Sequence, residues 1–212
     1  MIKAVIFDLD GVIVSTDEFH YQAWKHLADR LGIEFSREIN ERLRGVSRRE
    51  SLMIVLEKSQ DTFSEEELVG FLAEKNGIYL ELLQALSPED ILEGVLEKLE
   101  WFEAQGIRMA IGSSSKNTPI ILEKIGLSNR FEAIADGNQI TMSKPDPEVF
   151  LLAAKLLKEA PEDCLVVEDA AAGVEAAIAA NMDVLGVGSA STDMRATYRS
   201  ESMKDFDPSV LK

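Results

Sequence analysis

Two aspartates follow directly on a short apolar run near the start of the chain. The run Ala4–Phe7 is rich in β-branched and aromatic residues and ends at Asp8-Leu9-Asp10-Gly11, a pattern typical of a buried strand. Alternate residues of a strand point to the same face, so we expect Asp8 and Asp10 to share one. Two close carboxylates repel each other unless a cation lies between them or one keeps its proton. The pair therefore suits a metal site, or a nucleophile with an acid–base partner, although turn residues that merely end a strand would look the same.

A second acidic pair, Glu168-Asp169, follows the apolar run 165–167. If both runs are strands of one sheet, four carboxylates meet at the same edge, and such a group needs a cation to offset its charge. Metal binding is therefore the better interpretation of both pairs. Carboxylate oxygens are hard ligands and favour Mg²⁺ over softer metals.

Two further segments could hold an anion beside these carboxylates. The run 107–111 is followed by Gly112-Ser113-Ser114-Ser115-Lys116-Asn117, whose hydroxyls and N–H groups precede a predicted helix and could bind an anion. The alternative is that these serines only cap the helix. Lys144 lies in Ser143-Lys144-Pro145-Asp146-Pro147, where two prolines stiffen the chain. Taken alone, Lys144 would be an ordinary surface charge.

Composition limits the partners of such a site. The chain has 212 residues, of which 46% are hydrophobic and 28% are charged, as is usual for a soluble globular protein. Its net charge of -16 argues against nucleic acid and anionic membranes as partners. The single cysteine, Cys164, cannot form an intramolecular disulfide. With no leader-like or membrane-spanning apolar stretch after Met1, we expect a soluble, unprocessed protein of the reducing cytoplasm.

The elements that must position these groups alternate between helix and strand after a break at Ser87-Pro88. Strands are predicted at 107–111, 131–135, 165–167 and 184–187, the last of the set, and helices at 95–102, 118–125, 147–157 and 172–180. This alternation predicts βαβ units on a parallel sheet, to which the first strand also belongs. Ligands of such sheets collect at the carboxyl ends of the strands.

An all-helical block separates the first strand from the rest of the sheet. In its first helix, apolar residues recur at helical spacing before Gly32, namely Phe19, Ala23, Leu27 and Leu31. Capping boxes at Ser47 with Glu50, and at Ser64 with Glu67, predict the starts of two more helices. No strand pattern is found from residue 16 to residue 86. We therefore expect a helical insertion within a core that is discontinuous in sequence.

The order of the four strand ends resembles the haloacid dehalogenase superfamily of phosphotransferases. Its four motifs match Asp8-Leu9-Asp10-Gly11-Val12-Ile13, Ser113, Lys144-Pro145 and Glu168-Asp169, spread over the whole chain. The resemblance implies an α/β fold, with a Rossmann-like parallel sheet core and an inserted all-helical cap domain. The core would comprise residues 1–14 and 88–212, and the cap residues 15–87.

The resemblance also implies roles for the acidic residues. Asp8 would attack phosphorus and become an aspartyl phosphate, while Asp10 would act as general acid and base for a sugar hydroxyl or for water. One Mg²⁺ per chain would be held by Asp8, the Asp10 carbonyl and Asp169, with Glu168 in support. The alternative for Glu168 is to orient the other ligands without touching the metal.

The same resemblance assigns a binding site to the transferring phosphoryl group. Ser113 and the Ser114 N–H would hold its oxygens, and Lys144 would add positive charge opposite them.

The helical block is similar to the cap of the β-phosphoglucomutase family. This likeness implies a substrate-binding set of Thr16, His20, Trp24, Arg44, Gly45, Val46, Ser47, Arg48, Ser51, Lys75 and Asn76 in the cap, and of Ser115, Lys116 and Asn117 in the core. His20 and Trp24 share a helix face, and the alternative for them is ordinary core packing. Cations for a second phosphate would come from Arg44, Arg48, Lys75 and Lys116; the alternative is a solvated charged face.

The family likeness implies a Mg²⁺-dependent mutase acting on a small sugar phosphate. It would interconvert β-D-glucose 1-phosphate and glucose 6-phosphate through β-glucose 1,6-bisphosphate, and we expect it to be a monomer. Binding of the remote phosphate would close the cap and exclude water, which favours transfer to sugar over hydrolysis. A sugar-phosphate phosphatase of the same superfamily and a non-catalytic phosphoacceptor module are the alternatives. Departures from the family pattern at Ser15, Arg44 and Glu93 bear on substrate identity.

Overall fold

A sheet of six parallel strands forms the centre of the computed structural model, which describes residues 2–211. Its strands are β1 Ala4–Phe7, β2 Arg108–Gly112, β3 Ala133–Ala135, β4 Cys164–Glu168, β5 Asp183–Gly186 and β6 Tyr198–Arg199. Their order across the sheet is β3-β2-β1-β4-β5-β6. The carboxyl ends of β1, β2 and β4 are therefore neighbours, as the motif order requires.

Two groups of helices accompany the sheet. The inserted block contains α1 Asp17–Arg30, α2 Arg37–Glu41, α3 Arg48–Leu56 and α4 Glu65–Leu82. The helices that alternate with strands are α5 Val95–Ala104, α6 Thr118–Lys124, α7 Glu148–Leu157 and α8 Ala171–Ala179. Both predicted capping boxes are confirmed, at the starts of α3 and α4. In the described part of the chain, no helix combines the length and the apolar character needed to cross a membrane.

Strand β1 is buried on both faces because all four of its side chains are apolar. Val5 and Phe7 pack into one apolar cluster with α5 and α6, and Ala4 and Ile6 pack into a second cluster with α7 and α8. This continuous apolar run is typical of a central parallel strand covered by helices on both sides. The sheet core thus holds the end of β1 rigidly in place.

The helical block has an apolar cluster of its own. Trp24, Leu52 and Phe71 are among its buried members, and none of them belongs to the two clusters of the sheet. Two chain segments connect the block to the sheet and run side by side, since Val14 bridges Ile91 and the Leu92 N–H donates to Ile13 O at 2.9 Å. We call these paired segments, residues 13–14 and 91–92, the hinge.

The prediction that strand 184–187 is the last one was wrong, because β6 follows β5 and pairs with it in parallel. Two residues are too few to give a recognisable alternation of apolar and polar side chains. Strand β3 is also shorter than the predicted run 131–135, since Phe131 is buried but lies before the strand.

Candidate active site

A cavity of about 510 Å³ lies between the carboxyl ends of the strands and the helical block. The predicted site residues that line it are Asp8, Asp10, His20, Trp24, Arg44, Gly45, Val46, Ser47, Arg48, Ser51, Lys75, Ser113, Ser114, Ser115, Lys116, Asn117, Lys144, Glu168 and Asp169. Thr16 and Asn76 lie just behind this lining, where Thr16 donates to Asp10 and Asn76 accepts from Asn117. The structure thus gathers the whole predicted set around one cavity.

Lys144 is buried at the base of the cavity, between two carboxylates. Its Nζ lies 2.5 Å from Asp8 Oδ1 and 2.5 Å from Glu168 Oε1. Burial lowers the pKa of Lys144, but the charges of Asp8 and Glu168 outweigh it and raise the pKa above that of a free lysine. The alternative of an ordinary surface charge is therefore excluded for Lys144, which is only 2% exposed.

Three carboxylates form what we call the acidic cluster: Asp8, Glu168 and Asp169. Each offers one oxygen, and these oxygens lie within 4.8 Å of one another. Burial, and then the charges of Glu168 and Asp8, raise the pKa of Asp169 to about 9. Bringing an additional cation close to these buried carboxylates would favour their ionised forms. The donor set is all oxygen and compact, so the acidic cluster fits a hard divalent metal ion.

Glycines allow the backbone to approach this cluster. Gly11 has φ +86°, and a Cβ there would lie 2.2 Å from Asp169 Oδ2. A side chain at Gly11 would therefore displace a cluster carboxylate. Glu168 is fixed from the other side, where its Oε2 accepts the Ala170 N–H at 2.9 Å.

Asp10 lies outside the acidic cluster and is held by Thr16. The Thr16 N–H donates to Asp10 Oδ1 and the Thr16 hydroxyl donates to Oδ2, both at 2.6 Å. Burial, followed by the charge of Asp17, raises the pKa of Asp10 to about 7, against the opposing effect of the Thr16 hydrogen bonds. A carboxyl group with a pKa near neutrality can both give and take a proton.

The loop after β2 presents unused donors to the cavity. Ser113 Oγ accepts the Ser115 N–H, and Ser115 Oγ accepts the Asn117 N–H, each at 3.2 Å. These bonds curl the backbone ahead of α6. Within residues 2–211 the Ser114 N–H has no acceptor and Ser114 Oγ has no partner. The loop is therefore built to receive an anion.

Lys75 differs from the expectation of a phosphate-binding cation. It is buried, its Nζ lies 2.8 Å from His20 Nδ1, and it lies over the rings of Trp24 and Tyr79. Burial, and then the charge of Arg48, lower the pKa of Lys75 well below its usual value. Lys75 therefore contacts His20 and two aromatic rings rather than standing as a free charge.

Arg44 also differs from that expectation, because carboxylates already surround it. Its guanidinium contacts Asp17, lies 3.0 Å from Glu41 Oε2, and donates from Nη1 to Asp169 Oδ2 at 3.2 Å. Arg44 thus joins the helical block to the acidic cluster. A second contact between the two parts is the Asn117 Nδ2 donation to Asn76 Oδ1 at 3.0 Å.

Arg48 and Lys116 remain as cations for an anionic ligand. Both line the cavity, and neither makes an ion pair with any residue from 2 to 211. By contrast, Arg42 and Arg49 pair with Glu57 and Glu65. Unpaired cations in a cavity of so acidic a protein indicate a binding site for negative charge.

Sequence reasoning missed part of the lining. The further residues are Asp17, Asn40, Leu43, Arg49, Leu72, Gly137, Ile140, Thr141, Ser143 and Ala170. Several adjoin predicted residues, as Asp17 follows Thr16 and Ser143 precedes Lys144, so proximity in sequence was the available signal. Asn40 and Ile140 carry no such signal, because only the folded chain brings them to the cavity.

Comparisons with known proteins agree with this geometry. The family model described as haloacid dehalogenase-like hydrolase matches residues 2–181. The chain is 42% identical over 188 residues to a β-phosphoglucomutase of Bacillus subtilis (strain 168), covering 88% of this chain and 83% of the relative. It is 32% identical over 213 residues to a phosphorylated carbohydrates phosphatase of Thermotoga maritima, covering 99% and 96%.

A solved structure matches the entire fold. The crystal structure of β-phosphoglucomutase from Clostridium difficile superimposes with a TM-score of 0.94 at 39% identity, covering 100% of this chain and 96% of the other. The fold class expected from the strand order, a parallel sheet core with an inserted helical cap, is confirmed. The chain belongs to the haloacid dehalogenase superfamily and, within it, to the β-phosphoglucomutase family.

Proposed function

We propose that this chain interconverts β-glucose 1-phosphate and glucose 6-phosphate by phosphoryl transfer through Asp8 and β-glucose 1,6-bisphosphate. The observation that carries the proposal is that one cavity holds both a buried Lys144–Asp8 pair and the unpaired cations Arg48 and Lys116. A substrate with phosphate at two positions needs charge at two places. The β-phosphoglucomutase relatives and the structural match support the same reaction.

Asp8 is the proposed nucleophile. Lys144 holds its Oδ1 by a short hydrogen bond and would offset the charge of an arriving phosphoryl group. Formation of an aspartyl phosphate divides one transfer into two easier steps. The unused donors of the loop 113–115 would bind the oxygens of the transferring group.

Asp10 is the proposed acid and base. Its carboxyl would protonate the leaving oxygen when Asp8 is phosphorylated, and would take the proton of the attacking hydroxyl in the reverse transfer. Thr16 fixes both carboxylate oxygens, so the group keeps one orientation through the cycle.

Mg²⁺ is the proposed metal of the acidic cluster. It would be held by Asp8, Asp169 and the Asp10 carbonyl with Glu168 in support, and would neutralise charge between nucleophile and phosphate. The protein's own contribution is to keep these oxygens close together before the metal arrives.

We also propose the division into a core of residues 1–14 and 88–212 and a cap of residues 15–87. The separate apolar cluster of the block and the paired segments of the hinge support it. We propose further that the enzyme is a cytoplasmic monomer that binds no nucleic acid. The net charge of -16 and the buried free thiol of Cys164 are in keeping with this.

Turnover of β-glucose 1-phosphate with Mg²⁺ and a trace of glucose 1,6-bisphosphate tests the function. We expect glucose 6-phosphate to form with little release of inorganic phosphate, no turnover of the α anomer, and no turnover by Asp8→Asn. Arg48→Ala should lower kcat/KM by at least about tenfold because a charge-assisted contact is lost. Arg42→Ala, a surface arginine paired with Glu57, is the matched control and should behave as wild type.

A phosphatase of sugar phosphates is the second candidate. It is favoured by the 32% identity to the Thermotoga maritima phosphatase over almost the whole chain. Rapid phosphate release from sugar phosphates, with no glucose 6-phosphate formed from the β anomer, would establish it in place of the mutase.

A further inference from the structure

Tyr79 stands at the end of a chain of hydrogen bonds that leads to Asp10. The side chain is completely buried near the C-terminal end of α4. Its hydroxyl donates to Thr16 Oγ1 at 2.9 Å, and the Thr16 hydroxyl donates in turn to Asp10 Oδ2 at 2.6 Å. Tyr79 is not a member of the acidic cluster and does not itself line the cavity.

We propose that Tyr79 is a positioning residue, which holds the Asp10 carboxylate in its working orientation by way of the Thr16 hydroxyl. The inference rests on the proposed function in so far as Asp10 is the acid and base. It adds a residue that lies behind the cavity lining and acts through another side chain.

The direction of the hydrogen bonds explains how Tyr79 would act. A threonine hydroxyl has a single proton to donate. Because Tyr79 fills an acceptor position on Thr16 Oγ1, that proton is directed to Asp10 Oδ2 while the Thr16 N–H serves Oδ1. Both carboxylate oxygens are then fixed by one residue. Without the tyrosine hydroxyl, the Thr16 side chain could change rotamer and release Oδ2.

The tyrosine hydroxyl is a dependable donor in this place. Burial, followed by the charge of Asp10, raises the pKa of Tyr79 above that of a free tyrosine, so the phenol keeps its proton at neutral pH. Thr16 is also buried, with 1% of its surface exposed, so water does not compete for its oxygen.

Other contacts hold the Tyr79 ring, so the hydroxyl can be removed without removing the packing. The His20 ring stacks on it with centroids 4.2 Å apart, and Lys75 Nζ lies 4.5 Å from its centroid. Tyr79 also belongs to the apolar cluster on one face of the sheet. A phenylalanine would occupy the same space, and Tyr79→Phe therefore isolates the hydrogen bond.

Kinetics of Tyr79→Phe, Thr16→Val and the double variant provide the test. We expect Tyr79→Phe to lower kcat about tenfold, a part of the factor that an acid–base residue supplies, with KM unchanged. Thr16→Val should lower kcat at least as far, and adding Tyr79→Phe to it should have no further effect. Thr16→Ser, which keeps the hydroxyl, should restore most of kcat in the presence of Tyr79.

Tyr21→Phe is the matched control, because it also removes a phenol from the helical block. Its ring stacks on Phe35, and its hydroxyl makes no hydrogen bond within residues 2–211. It should leave kcat at the wild-type value. An unchanged kcat for Tyr79→Phe, or an equal loss in the presence and absence of the Thr16 hydroxyl, would overturn the inference.

Two readouts separate this inference from the proposed function. The kinetic ratios are taken on whichever reaction the wild type performs, transfer or hydrolysis, because Asp10 serves both. Failure of wild type to form glucose 6-phosphate counts against the mutase alone. A crystal structure of Tyr79→Phe needs no turnover: the Thr16 hydroxyl should have left Asp10 Oδ2, and a retained bond would count against Tyr79.

Discussion

Lys144 shows how one residue makes the base of the cavity possible. Asp8 and Glu168 are both buried, and burying an unpaired carboxylate is strongly unfavourable. The single ammonium group of Lys144 contacts both carboxylates, so removing it takes away the cation that they share. This dependence makes Lys144 structurally as well as chemically important.

Lys144→Met should therefore destabilise the metal-free protein by about 3–5 kcal/mol, the range for removing one member of a buried ion pair. Urea denaturation measures the change in the free energy of unfolding. Lys3→Met is the control, since Lys3 pairs with Asp163 at the exposed surface, where solvent and salt screen the attraction, and it should change stability far less. Equal effects of the two substitutions would contradict the assigned importance of the buried pair.

The acidic residues also predict how stability depends on pH. The pKa values of Asp10 and Asp169 are raised to about 7 and about 9, so between pH 4 and 9 these two carboxyl groups bind more protons in the folded state than in the unfolded one. Their contribution to stability without metal should therefore fall as pH rises through this window, against the opposite contributions of His20 and Lys75, whose pKa values are lowered by burial. Lys144, whose pKa is raised above that of a free lysine, stays charged throughout and adds no slope.

Mg²⁺ should oppose this loss, because it replaces the protons on the acidic cluster. Melting temperatures with EDTA and with saturating Mg²⁺, at pH 6 and pH 8.5, measure the effect. We expect Mg²⁺ to raise the melting temperature at both pH values and by several degrees more at pH 8.5. An equal or larger gain at pH 6 would contradict the competition between protons and Mg²⁺ at the acidic cluster.

Site residues could be predicted from the sequence where their own type and their neighbours in the chain indicated a role. The acidic residues of the site could be predicted because each pair directly follows an apolar run. They are Asp8, Asp10, Glu168 and Asp169. The partners of Arg44 and Lys75 are far away in sequence, namely Asp169 and His20. Their contacts follow from packing of the helical block, which no local pattern contains.

At the scale of elements, α8 lies very close to the end of β4. A Cβ on Gly173, in the first turn of α8, would lie 1.9 Å from Glu168 Cδ. The helix can therefore approach the acidic cluster only because this position has no side chain. The close approach of α8, which follows β4 after two residues, restricts the orientation of the Glu168 side chain.

Gly173→Ala should displace Glu168, lower stability by about 1–3 kcal/mol through overpacking, and weaken Mg²⁺ binding in calorimetric titration. Gly70→Ala is the matched control in α4, where a Cβ would meet nothing within 4 Å. It should raise stability by about 0.5–1 kcal/mol, since alanine is the better helix former. Normal Mg²⁺ affinity in Gly173→Ala would show that metal binding by the acidic cluster does not depend on the close packing of α8 against Glu168.

Helix starts and long elements were readily predicted, because caps and periodicity are local. Ser47 with Glu50 and Ser64 with Glu67 begin α3 and α4 as their spacing indicated. Strand β6 was missed because it exists only by pairing with β5. Its two residues gain their conformation from the sheet edge rather than from their own sequence.

At the scale of the whole molecule, the helical block is fastened over the cavity by few polar contacts. Arg44 reaches Asp169, and Asn76 meets Asn117. Each is one hydrogen-bonded contact across the cavity, whereas near the hinge Tyr79 and Leu83 of the block pack into an apolar cluster of the sheet. Such a joint suits a cap that opens to admit substrate and closes for chemistry.

In the metal-free protein, Arg44→Ala should let the helical block move away from the strand ends that carry the acidic cluster. Small-angle scattering should show a larger radius of gyration than wild type, because the contact from the block to the acidic cluster is lost. Arg42→Ala, which removes a surface pair on the same block, should leave the radius unchanged. An unchanged radius for Arg44→Ala would mean that the hinge alone sets the position of the block.

Sequence indicated that two structural parts exist, because helix-only and alternating patterns meet at Ser87-Pro88. It did not indicate how they face each other. That relation depends on contacts between residues far apart in the chain, such as the antiparallel bridge of Val14 with Ile91. The types of these two residues do not show that they pair.

The central position of β1 also governs the order in which this protein can be built. Ala4 pairs with Arg108 of β2 and with Cys164 of β4, 104 and 160 positions further along the chain. The apolar cluster of the helical block is complete by Leu72, so it can form on the ribosome while β1 still lacks both neighbours. Contacts between distant residues form late. During synthesis the helical block, which contributes to substrate binding in the proposed function, can therefore fold before the sheet that carries the proposed catalytic residues.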